Sequence, residues 1–127
     1  MLLSAALAVM RAKAATAQSP GQPTLSPAAS FIEEGGEAIY VNICQACHME
    51  DGKGAVGAGN YPPLAKNPKL EVSGYAVHVV LHGLKAMPPM KKMLSDTQIA
   101  DVVNYVRTHF GNPYSDSVTA MDVAAAR

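Results

Sequence analysis

The sequence contains little cysteine and has no excess of charge of either sign. Cys44 and Cys47 are the 2 cysteines of the 127-residue chain, so no disulfide can join distant segments. The 10 Lys and Arg residues balance 10 Asp and Glu residues, which gives no support to nucleic-acid binding. If Arg11 and Lys13 are removed with a leader, 8 basic and 10 acidic residues remain, a net charge of −2.

Long hydrophobic runs are also missing, and the length of the chain favours one domain. Residues 1–17 are apolar, end in a small-x-small pattern and are predicted to be a signal peptide for export to the periplasm. Because a membrane-spanning helix needs roughly 20 apolar residues, membrane attachment is expected only if this segment stays uncleaved. Residues 18–30, rich in Pro, Gly and Ser, are predicted to be a linker. A domain is expected over residues 31–111, with a carboxy-terminal tail over residues 112–127.

The periodicity of the apolar residues predicts an all-α fold, without internal repeats or an alternating strand pattern. Ser30 and Glu33 fit a capping box for a first helix. Gly36, Tyr40 and Cys44 recur every four residues, so they share one face of that helix. The first helix is therefore expected to lead directly into the segment that contains both cysteines.

Loops and short helices are expected in the middle of the chain. Residues 50–60 are rich in glycine and precede a Pro-Pro pair, a composition that predicts an irregular loop without helix or strand. A helix is predicted from about residue 74 to residue 82, and residues 85–93 return to loop because of two prolines. Thr119 and Asp122 indicate a short helix near the carboxy terminus.

The last long helix has the clearest local signals. Ser95 and Gln98 form a capping box, Leu94 and Ile99 can make a hydrophobic staple, and Gly111 marks the stop. One face of this helix is apolar at helical spacing: Ile99, Val102, Val103, Val106 and Phe110.

The segment Cys44-Gln45-Ala46-Cys47-His48 has the Cys-x-x-Cys-His signature of c-type haem attachment. With this spacing the two thiols can add to the two vinyl groups of a haem, and the imidazole of His48 becomes the proximal iron ligand. A zinc site would need a second pair of ligands, and a thioredoxin-like dithiol would need a βαβ context. A disulfide within the motif explains neither His48 nor the glycine-rich loop. The motif therefore predicts one covalently bound haem c.

Residues 31–111 resemble a class I bacterial c-type cytochrome with a single haem. The resemblance is carried by the Cys-x-x-Cys-His motif, by Gly36 and Tyr40 before it, by Pro62-Pro63-Leu64 after it and by a later Met-Pro pair. It implies the cytochrome c fold, with three to four helices around one haem and with crossing amino- and carboxy-terminal helices. It also implies that Gly36 and Tyr40 pack on Tyr105.

The resemblance implies further cofactor-binding residues. The carbonyl of Pro62 would accept a hydrogen bond from Nδ1 of His48, and Leu64 would press on the haem face. Family members carry a Met-Pro pair before the final helix, so Met87 is the predicted distal iron ligand beside the proximal His48. Met90 is the alternative, because its thioether is equally soft and lies close in sequence.

Two groups of side chains near this loop have open interpretations. His78 and His82 share a helix face, and either one could replace methionine at the iron, although an exposed or edge-of-core pair is favoured. Three lysines flank the methionine loop, where such cytochromes expose one haem edge, and they would either steer an acidic partner or form a solvated loop: Lys85, Lys91 and Lys92.

Histidine and methionine together would leave no open position on the iron, so the resemblance implies electron transfer and no catalysis at the haem. Residues 112–123, with residues 61–64 and 81–83, are similar to cytochrome c subunits of periplasmic alcohol, aldehyde or related dehydrogenases. The expected donor is a periplasmic dehydrogenase, and the expected acceptor is a terminal oxidase or another cytochrome. There are two alternatives. One is a haem enzyme or gas-binding sensor with a labile distal ligand, and the other is a non-redox binding or structural module whose attachment motif carries no haem.

Overall fold

The structure is a computed structural model, and it describes residues 30–57 and 59–127. The predicted signal peptide, and the predicted linker apart from Ser30, lie outside these residues. The described chain is mainly helical, which confirms the all-α prediction. None of its helices is long and apolar enough to cross a membrane. In chain order the elements are α1 (Gly36–Ile39), a π turn (Tyr40–Cys44), α2 (Gln45–His48), β1 (Ala55–Val56), β2 (Asn60–Tyr61), a 3₁₀ helix (Pro68–Glu71), α3 (Ser73–His82), α4 (Asp96–Thr108) and α5 (Ala120–Ala126).

The first helix starts later than the sequence predicted. α1 begins at Gly36, and the predicted capping box of Ser30 and Glu33 is wrong because no side chain caps this helix. Instead, Nε2 of Gln98 donates to the carbonyls of Phe31 at 2.8 Å and Glu33 at 2.9 Å. These two bonds hold the chain before α1 against α4, and Gly35, with a positive φ of 81°, immediately precedes the first helical residue.

α1 crosses α4 at a glycine. A Cβ atom on Gly36 would lie 2.2 Å from the carbonyl oxygen of Asp101 and 2.5 Å from Cβ of Tyr105, so a larger residue does not fit. Further along the same helical segment the ring of Tyr40 is buried, with its centroid 5.6 Å from that of Tyr105 and 4.8 Å from that of Phe110. The predicted crossing of the two helices, and the packing of Gly36 and Tyr40 on Tyr105, are confirmed.

The other predicted helix ends agree with the structure to within a few residues. α3 ends against Gly83, as predicted, and α4 begins with the predicted capping box of Ser95 and Gln98. α4 stops at Thr108, however, and Phe110 lies beyond it with a positive φ of 57°. Phe110 is therefore not part of the apolar face of the helix, although its ring still packs on the aromatic cluster.

The glycine-rich loop contains a short hairpin, where the sequence predicted no strand. Ala55 pairs with Tyr61 and Val56 pairs with Asn60 in an antiparallel ladder. Each strand is two residues long, which is too short to produce an alternating apolar pattern.

The segment after α4 is tied to the domain by two amide side chains. Nδ2 of Asn112 donates to the carbonyls of Leu64 at 2.8 Å and Val106 at 2.7 Å. Asn104 both donates to the carbonyl of Val118 at 2.9 Å and accepts from its N–H at 2.8 Å. The Asn112 bonds therefore join the segment to α4 and to the loop after the haem motif, and the Asn104 bonds satisfy both main-chain groups of Val118 before α5 begins.

α5 covers the surface that α3 and α4 share. Thr119 and Asp122 form the predicted capping box at its start. The hydrogen bonds from Thr119 hold the pKa of the Asp122 carboxyl below its ordinary value. Val123 is fully buried against the neighbouring helices.

Arg107 lies in the interior beneath the segment that joins α4 to α5, with an exposed fraction of 0%. Its Nε donates to the carbonyl of Leu70 at 2.8 Å, and its Nη2 donates to that of Glu71 at 3.2 Å and to Oδ1 of Asp116 at 2.6 Å. Nη1 donates to the carbonyl of Asp116, and the guanidinium lies 6.0 Å from the ring centroid of Tyr114. The sequence alone did not predict this buried cation.

Candidate haem-binding site

The Cys-x-x-Cys-His motif lies where the first helical segment ends. Cys44 is the last residue of the π turn, whereas Cys47 and His48 belong to α2. Both cysteines are free thiols, with Cys44 half-buried and Cys47 exposed. The imidazole of His48 is largely buried, with 8% of the residue exposed. π turns are rare and often occur at functional sites, and no sequence pattern predicted this one.

The surroundings of the two thiols bear on whether they could form a metal site. Burial, with a smaller contribution from Cys47, raises the pKa of the Cys44 thiol to about 11. The thiol of the polypeptide without a metal or haem is therefore protonated at neutral pH. Within residues 30–57 and 59–127, no three His, Cys, Asp or Glu side chains lie close enough together to hold a metal ion.

The loop after the motif folds back onto the imidazole. Nδ1 of His48 lies 3.0 Å from the carbonyl oxygen of Pro62, which is the contact that the family resemblance implied. A carbonyl oxygen only accepts hydrogen bonds, so Nδ1 carries the hydrogen and Nε2 of the neutral ring keeps its lone pair. A Cβ atom on Gly54 would lie 2.0 Å from the carbonyl oxygen of Tyr61 and 2.9 Å from that of Pro62. Glycine at this position therefore allows the two sides of the loop to approach each other closely.

Further hydrogen bonds fix the start of this loop, and the sequence did not predict them. The hydroxyl of Tyr40 donates to the carbonyl of Met49 at 2.7 Å, immediately after the motif. Burial raises the pKa of Tyr40 to about 12, so the hydroxyl keeps its proton at neutral pH. The N–H of Leu64 donates to the carbonyl of Gly52 at 2.7 Å, which joins the two ends of the loop.

The two candidate distal methionines lie in the loop between α3 and α4, residues 83–95, which is called the methionine loop. Met87 is half-buried and exchanges two main-chain hydrogen bonds with Leu84, at 3.0 and 3.1 Å. Met90 is also half-buried, packs against the buried core, and donates its N–H to the carbonyl of Val80 at 2.9 Å. The assignment of Met87 as distal ligand stays a prediction.

The remaining candidates lie at the surface. His78 is exposed and His82 is half-buried, with ring centroids 4.6 Å apart. Nε2 of His82 lies 3.3 Å from the carbonyl oxygen of Ala126, which gives this ring a structural contact. Three lysines of the methionine loop are exposed: Lys85, Lys91 and Lys92.

The residues of this site fit a covalently attached haem. The motif supplies two free thiols on one helical segment, and the neighbouring imidazole offers the lone pair of Nε2 as a ligand for iron. Three apolar side chains close in sequence to the motif, to Pro62 and to the methionines pack on the core and are only partly buried: Ile43, Leu64 and Val80.

Comparisons with known proteins agree with this fit. The chain is 39% identical over 129 residues to "Alcohol dehydrogenase (quinone), cytochrome c subunit" of Gluconacetobacter polyoxogenes, covering 86% of this chain and 27% of that protein. It is 34% identical over 114 residues to "Gluconate 2-dehydrogenase cytochrome c subunit" of Pantoea cypripedii, covering 72% and 24% respectively. It is 33% identical over 99 residues to a "Cytochrome c-552" of Thermus thermophilus, covering 65% of each chain.

The chain spans about a quarter of the length of the two dehydrogenase subunits. Residues 33–106 match the family described as "Cytochrome C oxidase, cbb3-type, subunit III", which is a family of cytochrome c domains. Because this match extends over more than half of the chain and includes the haem-attachment motif, the chain belongs to that cytochrome c family.

Proposed function

We propose that this chain is an electron-transfer domain that holds one haem c between His48 and Met87. The hydrogen bond between His48 and the carbonyl of Pro62 is the observation that carries the proposal, because it leaves Nε2 as the coordinating nitrogen. Such a bond also fixes the orientation of the ring and raises its basicity. One attachment motif in the chain supports one haem.

Each residue of the site has a distinct role in this proposal. Cys44 and Cys47 hold the haem through thioether bonds, in which each S–H adds across one vinyl group. Leu64 and other partly buried apolar side chains cover the porphyrin and exclude water. The haem supplies an iron that changes oxidation state by one electron, and the protein sets its potential through the axial ligands and burial.

Met87 is the proposed distal ligand. The side chain of Met90 already has a structural use, because it packs on the core. A thioether opposite His48 would fill the second axial position, so oxygen or a substrate would find no open site. This arrangement favours electron transfer over the alternative of a haem enzyme or gas sensor.

The names of the relatives support a dehydrogenase as the electron donor. Two of them are cytochrome c subunits of an alcohol dehydrogenase and of a gluconate dehydrogenase. We infer that this chain accepts electrons from a periplasmic dehydrogenase and passes them to the respiratory chain, through a terminal oxidase or another cytochrome. The predicted signal peptide supports a periplasmic location.

The mass and the ferrous spectrum of the exported protein test the cofactor and the function class. We expect the mass of the chain plus one haem, and a ferrous spectrum that carbon monoxide does not change quickly. The unmodified mass would contradict haem attachment. A rapid spectral shift with carbon monoxide would instead support the gas sensor or haem enzyme, because it requires a labile distal position.

Paired methionine variants test the distal ligand. Met87→Ala is expected to abolish the methionine-to-iron charge-transfer band of the oxidised protein and to allow carbon monoxide to bind the reduced protein. Met90→Ala is the matched control, and it is expected to keep the band because its side chain serves packing. Loss of the band in Met90→Ala alone would reverse the assignment.

A further inference from the structure

Arg127 connects the end of α5 with the methionine loop. Its Nε donates to Oδ1 of Asp96 in the first turn of α4. Its Nη1 donates to the carbonyl of Lys91, and its Nη2 donates to the carbonyl of Leu94 at 3.0 Å. A single guanidinium thus binds the loop at two positions and the following helix at a third.

These contacts differ from an ordinary surface ion pair. The side chains of Arg127 and Asp96 are each 33% exposed, so solvent screens the pair only in part. Two of the three acceptors are main-chain carbonyls, which hold the backbone itself. The planar guanidinium is well suited to such a fork, because its donors have fixed directions.

α5 is itself firmly attached, so it can transmit this restraint. Val123 is fully buried, and the N–H and carbonyl of Val118 are both bonded to the side chain of Asn104. On the α3 side, Nε2 of His82 lies 3.3 Å from the carbonyl oxygen of Ala126. Residues 118–126, which precede Arg127, are therefore fixed to α3 and α4 by contacts of their own.

The opposite side of the loop is held by α3. The N–H of Met90 donates to the carbonyl of Val80 at 2.9 Å, and the N–H of Lys91 donates to that of Leu81 at 3.3 Å. Lys91 thus donates its N–H to α3 and accepts at its carbonyl from Arg127. The loop is clamped at one residue from both sides.

We propose that residues 112–127 form a strap that holds the methionine loop closed, and that Arg127 is a positioning residue for the distal ligand. This inference rests on the proposed function, because it assigns to the strap an effect on how often the distal methionine leaves the iron. Arg127 does not touch the reacting atoms; it acts on the backbone that carries the methionine.

Added imidazole measures, at constant pH, the fraction of molecules in which the distal methionine has left the iron. Imidazole binds the oxidised iron only in molecules whose methionine has left, so its apparent affinity is proportional to the open fraction. A loosened strap raises the open fraction and the apparent affinity by the same factor. Hydrogen exchange of residues 85–93 reports the motion of the loop without any ligand.

The experiment compares the wild-type holoprotein with Arg127→Ala. Loss of three charge-assisted hydrogen bonds, discounted for partial exposure, is expected to raise the apparent imidazole affinity about tenfold. Hydrogen exchange is expected to increase in the loop and in α5 while it stays unchanged where α1 crosses α4. This local pattern distinguishes positioning from a general loss of stability.

Two control variants separate the parts of the clamp. Asp96→Asn removes the ion pair and keeps both main-chain acceptors, so a smaller increase in imidazole affinity is expected. Met121→Ala changes a side chain of α5 that is 81% exposed, and it is expected to match the wild type.

The possible failures are distinguishable. If the wild type lacks the charge-transfer band, or binds imidazole without losing it, the methionine ligation of the proposed function is wrong and the strap proposal fails with it. If the wild type has the band but Arg127→Ala shows wild-type affinity and loop exchange, the strap proposal alone is overturned. An equal rise in exchange throughout the protein would also overturn it.

Discussion

Replacing Arg107 by alanine is expected to lower the free energy of unfolding by about 3 kcal/mol. The substitution removes a fully buried side chain and leaves a cavity between α4 and residues 112–118. It also leaves the carbonyl of Leu70 without its donor in the interior. The carboxylate of Asp116 contributes less to the loss, because 69% of its side chain is exposed and water can replace the guanidinium. Denaturant unfolding of the holoprotein measures the difference.

Asp116→Asn is the matched variant for Arg107→Ala. It removes the charge of the partner and keeps the main-chain acceptors, so it should destabilise the protein far less. The hydrogen bond from Arg107, helped by its charge, holds the pKa of Asp116 below the ordinary value. The stability from this pair is present above the ordinary pKa of Asp and is lost as the pH falls through the lowered value. Equal destabilisation by both variants would contradict the dominant role of the buried carbonyl bonds.

Gly36→Ala is expected to lower the free energy of unfolding by about 2–3 kcal/mol. The added methyl group would lie 2.2 Å from the carbonyl oxygen of Asp101, which belongs to the α4 backbone and cannot move aside as a flexible side chain would. The crossing of α1 and α4 must therefore widen, next to the helical segment that carries the haem motif. Thermal unfolding of the two holoproteins measures the effect.

Gly74→Ala provides the control for that substitution. Gly74 lies in α3, and a Cβ atom there would have nothing within 4 Å. Alanine should therefore stabilise this helix by up to about 1 kcal/mol, because it loses less backbone entropy than glycine. If Gly36→Ala were as harmless as Gly74→Ala, the close approach of α1 to α4 would not limit the size of residue 36.

Local signals predicted those helices whose ends are determined by their own side chains. Ser95 and Gln98 cap α4 through bonds within one turn, so the pattern Ser-x-x-Gln was sufficient to locate the start. The similar pattern at Ser30 and Glu33 does not start a helix, and the carbonyl of Glu33 accepts instead from Gln98, 65 residues further along the chain. A capping pattern contains no information about such a distant contact.

The buried arginine was missed for a related reason. Charged residues are usually exposed, so Arg107 was not expected in the core although it lies four residues after Val103, at the edge of the apolar face. Its partners at Leu70 and Glu71 are main-chain carbonyls, which every residue possesses and no sequence pattern marks. The salt bridge with Asp116 could not be predicted either, because the two residues are separated by a segment without helix or strand, whose path no local sequence pattern predicts.

The candidate site was predicted mainly through its motif and the family resemblance. Cys44, Cys47 and His48 follow from the spacing alone, whereas the contact between His48 and Pro62 followed only from the resemblance. Nothing in the sequence indicated the hydroxyl bond from Tyr40 behind the motif or the π turn before it. These features depend on how the loop and helix meet in space.

The attachment of the carboxy-terminal segment depends on the amide nitrogens of Asn104 and Asn112. Each amide nitrogen donates to main-chain carbonyls, and these bonds join the segment to the helices and to the loop after the haem motif. A carboxylate in place of either amide would exchange a donor for a charged acceptor, so a carbonyl that was bonded would then face a negative oxygen. A change of a single atom in one side chain would thus weaken the hold on residues 112–127 while the chain itself stays intact.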